Sequence, residues 1–88
     1  MPAEDRQRID RWLWHARLVR TRGDAAALAD AGYVRVNGAR IAAPSRQVRT
    51  GDVVTVALDR SVRVLKVRGF IERRGPPSTG QSLYEDLT

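Results

Sequence analysis

The sequence predicts an α+β fold, in which two short packed N-terminal helices lie against a small, twisted, mostly antiparallel sheet of four to five strands. Three observations predict it. Apolar residues recur at helical spacing from Ile9, an alanine-rich run follows at residues 25–31, and valine-rich alternating segments surround an Asn37-Gly38 pair. With 88 residues and 9.8 kDa, the chain has room for one domain and one modest core.

The first helix is predicted over residues 11–19. Asp10 is well placed as its N-cap, because the carboxylate can accept a hydrogen bond from a free first-turn N–H and favours the positive end of the helix dipole. Ile9 and Trp14 would then occupy the hydrophobic-staple positions. One face of the helix is apolar and is expected to be buried. That face consists of Ile9, Trp12, Leu13, Ala16 and Val19.

A second helix is predicted to begin immediately after the first. Thr21, with Asp24 three residues later, forms the pattern of a capping box in front of the alanine-rich run. Gly32 is well placed to end this helix, because glycine readily adopts the left-handed conformation required there. The small alanine side chains allow the helix to approach its packing partner closely.

The Asn37-Gly38 pair predicts a β-hairpin between residues 34–36 and residues 39–41. Both turn residues of a type I′ turn have positive φ, and Asn-Gly is the pair that most favours this turn. Alternation of Val34 and Val36 with polar neighbours predicts that one face of the first strand is buried.

Two further strands are predicted after this hairpin. Pro44-Ser45 ends the first hairpin, and a loop leads to a turn at Gly51-Asp52. Residues 53–58 and residues 61–67 are both valine-rich and are predicted to pair with each other.

The domain organisation follows from these elements. Residues 1–7 are expected to form a flexible N-terminus, and residues 8–72 are expected to form the domain itself. Residues 73–88 are predicted to be a C-terminal extension, which begins as a loop rich in glycine and proline. Ser78 and Gln81 could cap one last helical turn in this extension, through Leu83, Tyr84 and Leu87.

Positive charge is concentrated on either side of a neutral middle. The formal net charge of +6 and the pI near 11.2 predict attraction to polyanions. Residues 6–22 contain six arginines and one aspartate, and residues 60–74 contain five arginines, one lysine and one glutamate. The intervening residues 23–59 contain four arginines and four aspartates. Clustering of this kind indicates a surface that can make several phosphate contacts together.

Composition gives no support to several classes of function. The chain has no cysteine, so it has neither a disulfide framework nor a thiolate metal site, and no cofactor is predicted. No segment has the apolar character of a signal peptide or a membrane span, so a cytoplasmic protein is expected. His15 is the only histidine and lacks a nucleophile or metal-ligand set, so no catalytic or metal site is predicted. It is interpreted as a partly exposed hydrogen-bond donor.

A combination of residues along most of the chain carries a family resemblance. Its first part comprises Arg8-Ile9-Asp10, Leu13, Arg17, Thr21-Arg22, Ala26 and Gly32, and its second part comprises Val34, Val36-Asn37-Gly38, Pro44-Ser45, Val48 and Gly51-Asp52. This combination resembles the S4 domain, the small RNA-binding domain first named for ribosomal small-subunit protein four. Within that family, RIDRWLWHARLVRTR and ERRGPPSTGQSLYEDL resemble segments of the ribosome-associated heat shock protein 15 group. Two positions depart from the pattern, Gly23 and Ala43, where a serine and a basic residue are frequent.

The resemblance implies a non-enzymatic protein that binds ribosomal RNA of the large subunit and acts on stalled or free subunits carrying peptidyl-tRNA. RNA would lie along the two helices and an adjacent loop. A monomer is expected, with DNA binding secondary and no membrane partner. Trp12 is assigned to the core, whereas Trp14 remains open between the staple and an RNA contact. The predicted RNA-binding residues are Arg8, Arg11, Trp14, His15, Arg17, Arg20, Thr21, Arg22 and Arg46.

Two other function classes remain open. Pseudouridine synthases and some tRNA synthetases carry the same domain, so the chain could be a stand-alone relative of RNA-modifying enzymes; those enzymes attach the domain to a separate catalytic domain. Net charge alone also allows a generic DNA- or RNA-binding module or a membrane-surface protein. Membrane insertion is disfavoured, because the apolar face of the first helix is expected to pack on the second helix and the sheet.

Overall fold

The computed structural model describes residues 5–88, and this range contains three helices and two antiparallel sheets. The helices are α1 (Ile9–His15), α2 (Arg22–Asp30) and α3 (Pro77–Gln81). The strands are β1 (Arg6–Arg8), β2 (Val34–Val36), β3 (Ala39–Arg40), β4 (Gln47–Arg49), β5 (Val53–Ala57), β6 (Val62–Val67) and β7 (Tyr84–Asp86). Both N-terminal helices share one hydrophobic core with the larger sheet, which confirms the predicted α+β class.

Helix α1 begins two residues earlier and ends four residues earlier than the sequence predicts. Its apolar residues Ile9, Trp12 and Leu13 are fully buried, as the helical spacing indicates. Ala16 is the C-cap, and Arg17 adopts a left-handed conformation with φ of 66°. A right-handed helix cannot pass through that conformation, so the predicted continuation to Val19 is wrong.

Helix α2 has the start and the end that the sequence predicts. The Oγ1 atom of Thr21 accepts a hydrogen bond of 3.0 Å from the backbone N–H of Asp24. At the other end Gly32 has φ of 85° and donates to the carbonyl of Ala29, while Tyr33 donates to the carbonyl of Leu28. These two bonds form a Schellman motif, in which the left-handed glycine satisfies the last carbonyls of the helix.

The larger sheet is antiparallel throughout, with the strand order β3-β2-β5-β6-β7. Alternate side chains of its central strands are fully or almost fully buried, as period-two alternation predicts. These are Val34 and Val36 on β2, Val54 and Val56 on β5, and Leu65 and Val67 on β6. The predicted pairing of the segments at 53–58 and 61–67 is confirmed by the register of β5 with β6.

The predicted turn between β2 and β3 is also present. Asn37 has φ of 52° and Gly38 has φ of 84°, the two positive values that a type I′ turn requires. The Asn37 side chain accepts a hydrogen bond from the backbone of Val53 at 2.9 Å and donates one to Asp52 at 3.1 Å. The asparagine therefore shapes its own turn and also ties the hairpin to the start of β5.

Replacing Gly38 by Ala is expected to lower the free energy of unfolding by about 1 kcal/mol, because alanine resists a positive φ. A Cβ at Gly38 would meet no atom within 4 Å, so backbone conformation alone causes the loss. Gly69→Ala is the matched control, since Gly69 is equally open but lies outside the left-handed region. Urea denaturation measures both variants, and equal losses would contradict this account of the turn.

A small second sheet was not predicted. Strand β1 pairs with β4 in antiparallel register, with Gln7 opposite Val48. The sequence predicts a flexible terminus over residues 1–7, but Arg6 and Gln7 belong to β1; residues 1–4 lie outside the described range. Strand β4 occupies the stretch for which the sequence predicts a loop.

The C-terminal segment is part of the fold. Helix α3 supplies the predicted short helix, but it ends before Leu83, and β7 adds a fifth strand beside β6 where the sequence predicts a helical turn. Leu83 is buried in the core. Gly80 lies so close to the end of α1 that a Cβ at this position would be 2.9 Å from the carbonyl oxygen of His15. The extension is therefore docked on α1 and on the sheet.

Candidate nucleic-acid interface

The start of α1 holds two arginines around one buried aspartate. Asp10 is 3% exposed and lies in the first turn of the helix. Arg8 donates two hydrogen bonds to its carboxylate, at 2.9 and 3.1 Å, and Nε of Arg22 lies 4.0 Å from the same carboxylate. Both arginine side chains remain 46% exposed. Asp10 therefore brings together cationic groups from the starts of α1 and α2, while leaving them accessible to a ligand.

Asp10 is not the N-cap that the sequence predicts. The N-cap residue is Arg8, but the Asp10 carboxylate accepts a hydrogen bond of 2.7 Å from the first-turn N–H of Arg11, the bond on which the prediction rests. Backbone carbonyls of the 44–46 loop satisfy two further N–H groups at the start of the helix: Arg46 accepts from the N–H of Ile9 at 2.8 Å, and Pro44 accepts from the N–H of Asp10 at 3.3 Å. This contact places the backbone of Arg46 beside the start of α1, and its side chain is exposed.

The arginines of α1 and of the turn after it contact the segment between β6 and α3. Nη2 of Arg11 donates to the Glu72 carbonyl at 2.5 Å, and Nη2 of Arg17 donates to the Gly75 carbonyl at 2.6 Å. Both acceptors are neutral carbonyls rather than carboxylates. The contacts therefore orient the two guanidinium groups without cancelling their charge.

Arg74 makes the reciprocal contact and was not predicted as a site residue. Its Nε donates to the Trp14 carbonyl at 3.0 Å and its Nη2 donates to the Val19 carbonyl at 3.2 Å. Removal from water, and after it the nearby charge of Arg17, lower the pKa of Arg74. The only signal in the sequence was its membership of the second basic segment. The docked extension thus adds a cation to the arginines at the end of α1.

Trp14 is half-buried among these groups. Its ring centroid lies 5.3 Å from the His15 ring centroid and 5.3 Å from Cζ of Arg74. With the N-cap at Arg8, Trp14 and Ile9 no longer occupy staple positions, so that alternative is wrong. Contact of Trp14 with RNA stays a prediction, and the Arg74 guanidinium covers part of the ring.

His15 does not have the exposed position that the sequence predicts. It is 1% exposed and lies beneath the arginine surface. Its Nδ1 atom has no hydrogen-bond partner within residues 5–88. Burial, followed by the positive charge of Arg11, lowers the pKa of His15. The His15 side chain is therefore part of the packing beneath the arginines and is not accessible to a ligand.

The free energy of unfolding is expected to fall as the pH drops below about 6.5. Because the folded state lowers the pKa of His15, the unfolded chain binds the proton more readily, so protonation favours unfolding. Urea denaturation between about pH 8 and pH 5.5 measures the effect. In the His15→Gln variant this part of the pH dependence should disappear. If the free energy of unfolding fell equally with pH in the variant and in the wild type, His15 would not be the group responsible.

Arg20 and Thr21 lie in the short connection between α1 and α2. Arg20 is exposed, as the prediction of a binding residue requires. The hydroxyl oxygen of Thr21 accepts the capping hydrogen bond from Asp24, so this side chain already has a structural role.

The second basic segment is divided between structural and exposed side chains. Arg63 forms an ion pair of 3.0 Å with Asp86 and lies 5.9 Å from the Tyr84 ring centroid, which ties β6 to β7. Lys66 is exposed on the opposite face of β6, where Glu85 is its register partner on β7. These two side chains cannot belong to one continuous binding surface.

Two further features bear on the kind of ligand. Among residues 5–88, no group of three or more histidine, aspartate or glutamate side chains is arranged to hold a metal ion. Over the same range, no helix has both the length and the apolar character needed to cross a membrane.

Comparison with known proteins places the chain in a family. Residues 7–54 match the family model of the S4 domain. Heat shock protein 15 of Escherichia coli strain K12 is 35% identical over 79 residues, which cover 90% of this chain and 59% of that protein. Small ribosomal subunit protein uS4 of Methylobacterium radiotolerans is 32% identical over 83 residues, which cover 93% of this chain and 40% of that protein. The chain therefore spans less than two thirds of these relatives.

A solved structure agrees with the sequence comparisons. The trimeric structure of heat shock protein 15 from Vibrio cholerae matches this fold with a TM-score of 0.86 and 30% sequence identity. The match covers 93% of this chain and 82% of that one. The chain therefore belongs to the S4 domain family and, within it, to the heat shock protein 15 group.

Proposed function

We propose that this protein is a non-enzymatic RNA-binding protein whose ligand is ribosomal RNA of the large subunit. The observation that carries the proposal is the set of partly or fully exposed arginines around both ends of α1. Four of them are held by one shared aspartate or by neutral backbone carbonyls, so most of the charge of the set is left for a polyanion. The arginines of this set, named here the helical arginine surface, are Arg8, Arg11, Arg17, Arg20, Arg22 and Arg46.

Binding fits the site better than catalysis does. Guanidinium groups donate to phosphate oxygens in a bidentate manner and remain charged at any physiological pH. The one histidine, which could serve as a general base, is buried. The geometry therefore supports recognition of an RNA backbone without a chemical step.

The finer part of the proposal concerns the state of the ribosome. Similarity to the heat shock protein 15 group supports action on stalled or free large subunits that carry peptidyl-tRNA, in rescue or recycling. We also propose that the protein is a monomer, in contrast to the trimeric structure of the Vibrio cholerae relative. Sedimentation of the purified protein alone measures its oligomeric state, and sedimentation with large ribosomal subunits measures its binding to them.

Crosslinking in cells, followed by sequencing of the bound RNA, tests the target. Large-subunit ribosomal RNA is expected to dominate the reads, and peptidyl-tRNA should be enriched with it after translation is aborted. Reads distributed over messenger RNA and DNA in proportion to abundance would contradict the proposal and indicate a generic nucleic-acid binder.

Affinity for RNA is expected to depend steeply on salt. If each of the six arginines in the helical arginine surface neutralises one phosphate, affinity should fall about a thousandfold between roughly 50 and 200 mM salt. Titration of a structured fragment of large-subunit RNA by fluorescence anisotropy measures the slope. A variant lacking three of these arginines should have a shallower slope, and a flat dependence in the wild type would exclude phosphate contacts as the main source of affinity.

A further inference from the structure

A groove lies beside Arg20, between α2 and the turn that joins β5 to β6. Its volume is about 780 Å³, within the range of sites that enclose a small ligand. Tyr33 lines the groove and is 56% exposed. The aliphatic part of the lining packs against the hydrophobic core from the other side, and it consists of Leu18, Val19, Leu28 and Leu58.

Charged groups occupy the remaining lining of this groove. Arg20 and Arg60 contribute guanidinium groups, and Asp24 and Asp59 contribute carboxylates. Arg20 is also a member of the helical arginine surface, so the groove is continuous with that surface. Arg60 comes from the second basic segment, and the fold therefore brings one cation from each basic segment to the same depression.

This combination matches the chemistry of an unpaired nucleotide. A nucleobase has two apolar faces that stack on aromatic side chains, an edge with amino groups that donate to carboxylates, and a phosphate on either side. A protein segment in the groove would have to bury two arginines and two aspartates against its own surface, which is costly unless each charge finds a partner. A nucleotide leaves its phosphates and the arginines at the solvent edge.

We propose that this groove binds one unpaired RNA nucleotide, whose base stacks on Tyr33 and whose phosphates contact Arg20 and Arg60. The proposal rests on the proposed function, because it assigns part of the same RNA to a second contact. Bases that carry an amino group, namely adenine, guanine and cytosine, should be preferred over uracil, because Asp24 and Asp59 can only accept hydrogen bonds and the single N–H donor on the uracil edge lies between two carbonyl oxygens.

Two hairpin RNAs provide the test, one fully paired and one with a single bulged 2-aminopurine. The wild-type protein should bind the bulged hairpin about tenfold more tightly and should change the fluorescence of its 2-aminopurine. Tyr33→Ala should remove this preference, whereas Tyr33→Phe, which keeps the ring, should retain it. Leu87→Ala is the matched control, because Leu87 is an exposed apolar residue that follows β7 and does not line the groove.

The possible outcomes separate this inference from the proposed function. Unchanged affinity of Tyr33→Ala for the paired hairpin shows that the variant is folded and that the helical arginine surface still binds. If Tyr33→Ala then binds the bulged hairpin as tightly as the wild type does, the groove proposal is overturned and the proposed function stands. The proposal would also be overturned if Tyr33→Ala changed the oligomeric state of the protein, measured by sedimentation, but kept the preference for the bulged hairpin. That result would show that a second copy of the chain occupies the groove. Failure of the wild type to bind either hairpin would reject the proposed function itself.

Discussion

Changing Arg17, Arg20 and Arg22 together to glutamine is expected to weaken binding to large-subunit RNA by about 100-fold. The three residues lie around the connection between α1 and α2, and all three are exposed. Each contact between an exposed guanidinium and a phosphate contributes about 1 kcal/mol, and about 1.4 kcal/mol corresponds to a factor of ten in affinity. Glutamine keeps a hydrogen-bond donor, so the contact of residue 17 with Gly75 can persist and the fold should remain intact.

A control variant with the same loss of charge separates recognition from general attraction. Arg35, Lys66 and Arg68 are exposed, and within the described residues their side chains form no hydrogen bond or ion pair. Changing these three to glutamine should reduce affinity only a few-fold, through the smaller net charge. Equal losses in the two variants would contradict a specific surface on the helices, and a greater loss in the control would place the binding face on the sheet.

Replacing Trp12 by Ala is expected to lower the free energy of unfolding by about 3–5 kcal/mol, a large part of the stability of a small domain. Trp12 is completely buried, and its Nε1 donates to the Gly69 carbonyl at 3.2 Å. The ring also meets the edge of Tyr84, with 6.5 Å between the ring centroids. One side chain therefore joins α1 to the segment after β6 and to β7, and its loss should lower the melting temperature by more than about 10 °C.

Trp14→Ala provides the comparison within the same helix. Trp14 is only half-buried, so this variant should lose less than half as much stability as Trp12→Ala. The stability loss of Trp12→Phe should lie between those of the two alanine variants, because phenylalanine keeps most of the buried ring area but lacks the N–H donor. Thermal and urea denaturation of the three variants gives the order, and equal losses for the two alanine variants would contradict the core described here.

The parts of the fold that short stretches of sequence determine could be predicted. Asn37-Gly38 adopts its two positive φ values, Gly32 ends α2 and Thr21 caps its start. In each case the residue that determines the geometry lies within about four positions of its partners, so the local sequence contains the information.

Features that depend on distant segments could not be predicted in this way. Strand β1 exists because residues 6–8 pair with residues 47–49, and three-residue strands show too little alternation to be detected. Helix α1 shows helical spacing up to Val19, yet it stops at His15 because Arg17 is left-handed. Periodicity alone does not reveal where the chain must turn to bring α2 against α1.

The candidate site also combines features that the sequence predicts with features that it does not predict. Its arginines follow from charge clustering and from the family resemblance, but their surroundings arise from packing. Asp10 accepts a first-turn N–H as the sequence predicts, and it also joins Arg8 and Arg22, because the starts of the two helices meet. Arg74 reaches the carbonyl of Trp14 across 60 positions of sequence, and His15 is buried under the segment between β6 and β7. Neither relation has a signature within the first helix.

Identification of the residues that crosslink to RNA tests the helical arginine surface most directly. Purified protein is irradiated in complex with large-subunit ribosomal RNA, and the crosslinked peptides are determined by mass spectrometry. Crosslinks are expected within residues 8–22 and around Arg46, with weaker ones near Arg74. Crosslinks concentrated on residues 53–67 of β5 and β6, with none on the two helices, would contradict the assignment of the RNA-binding surface.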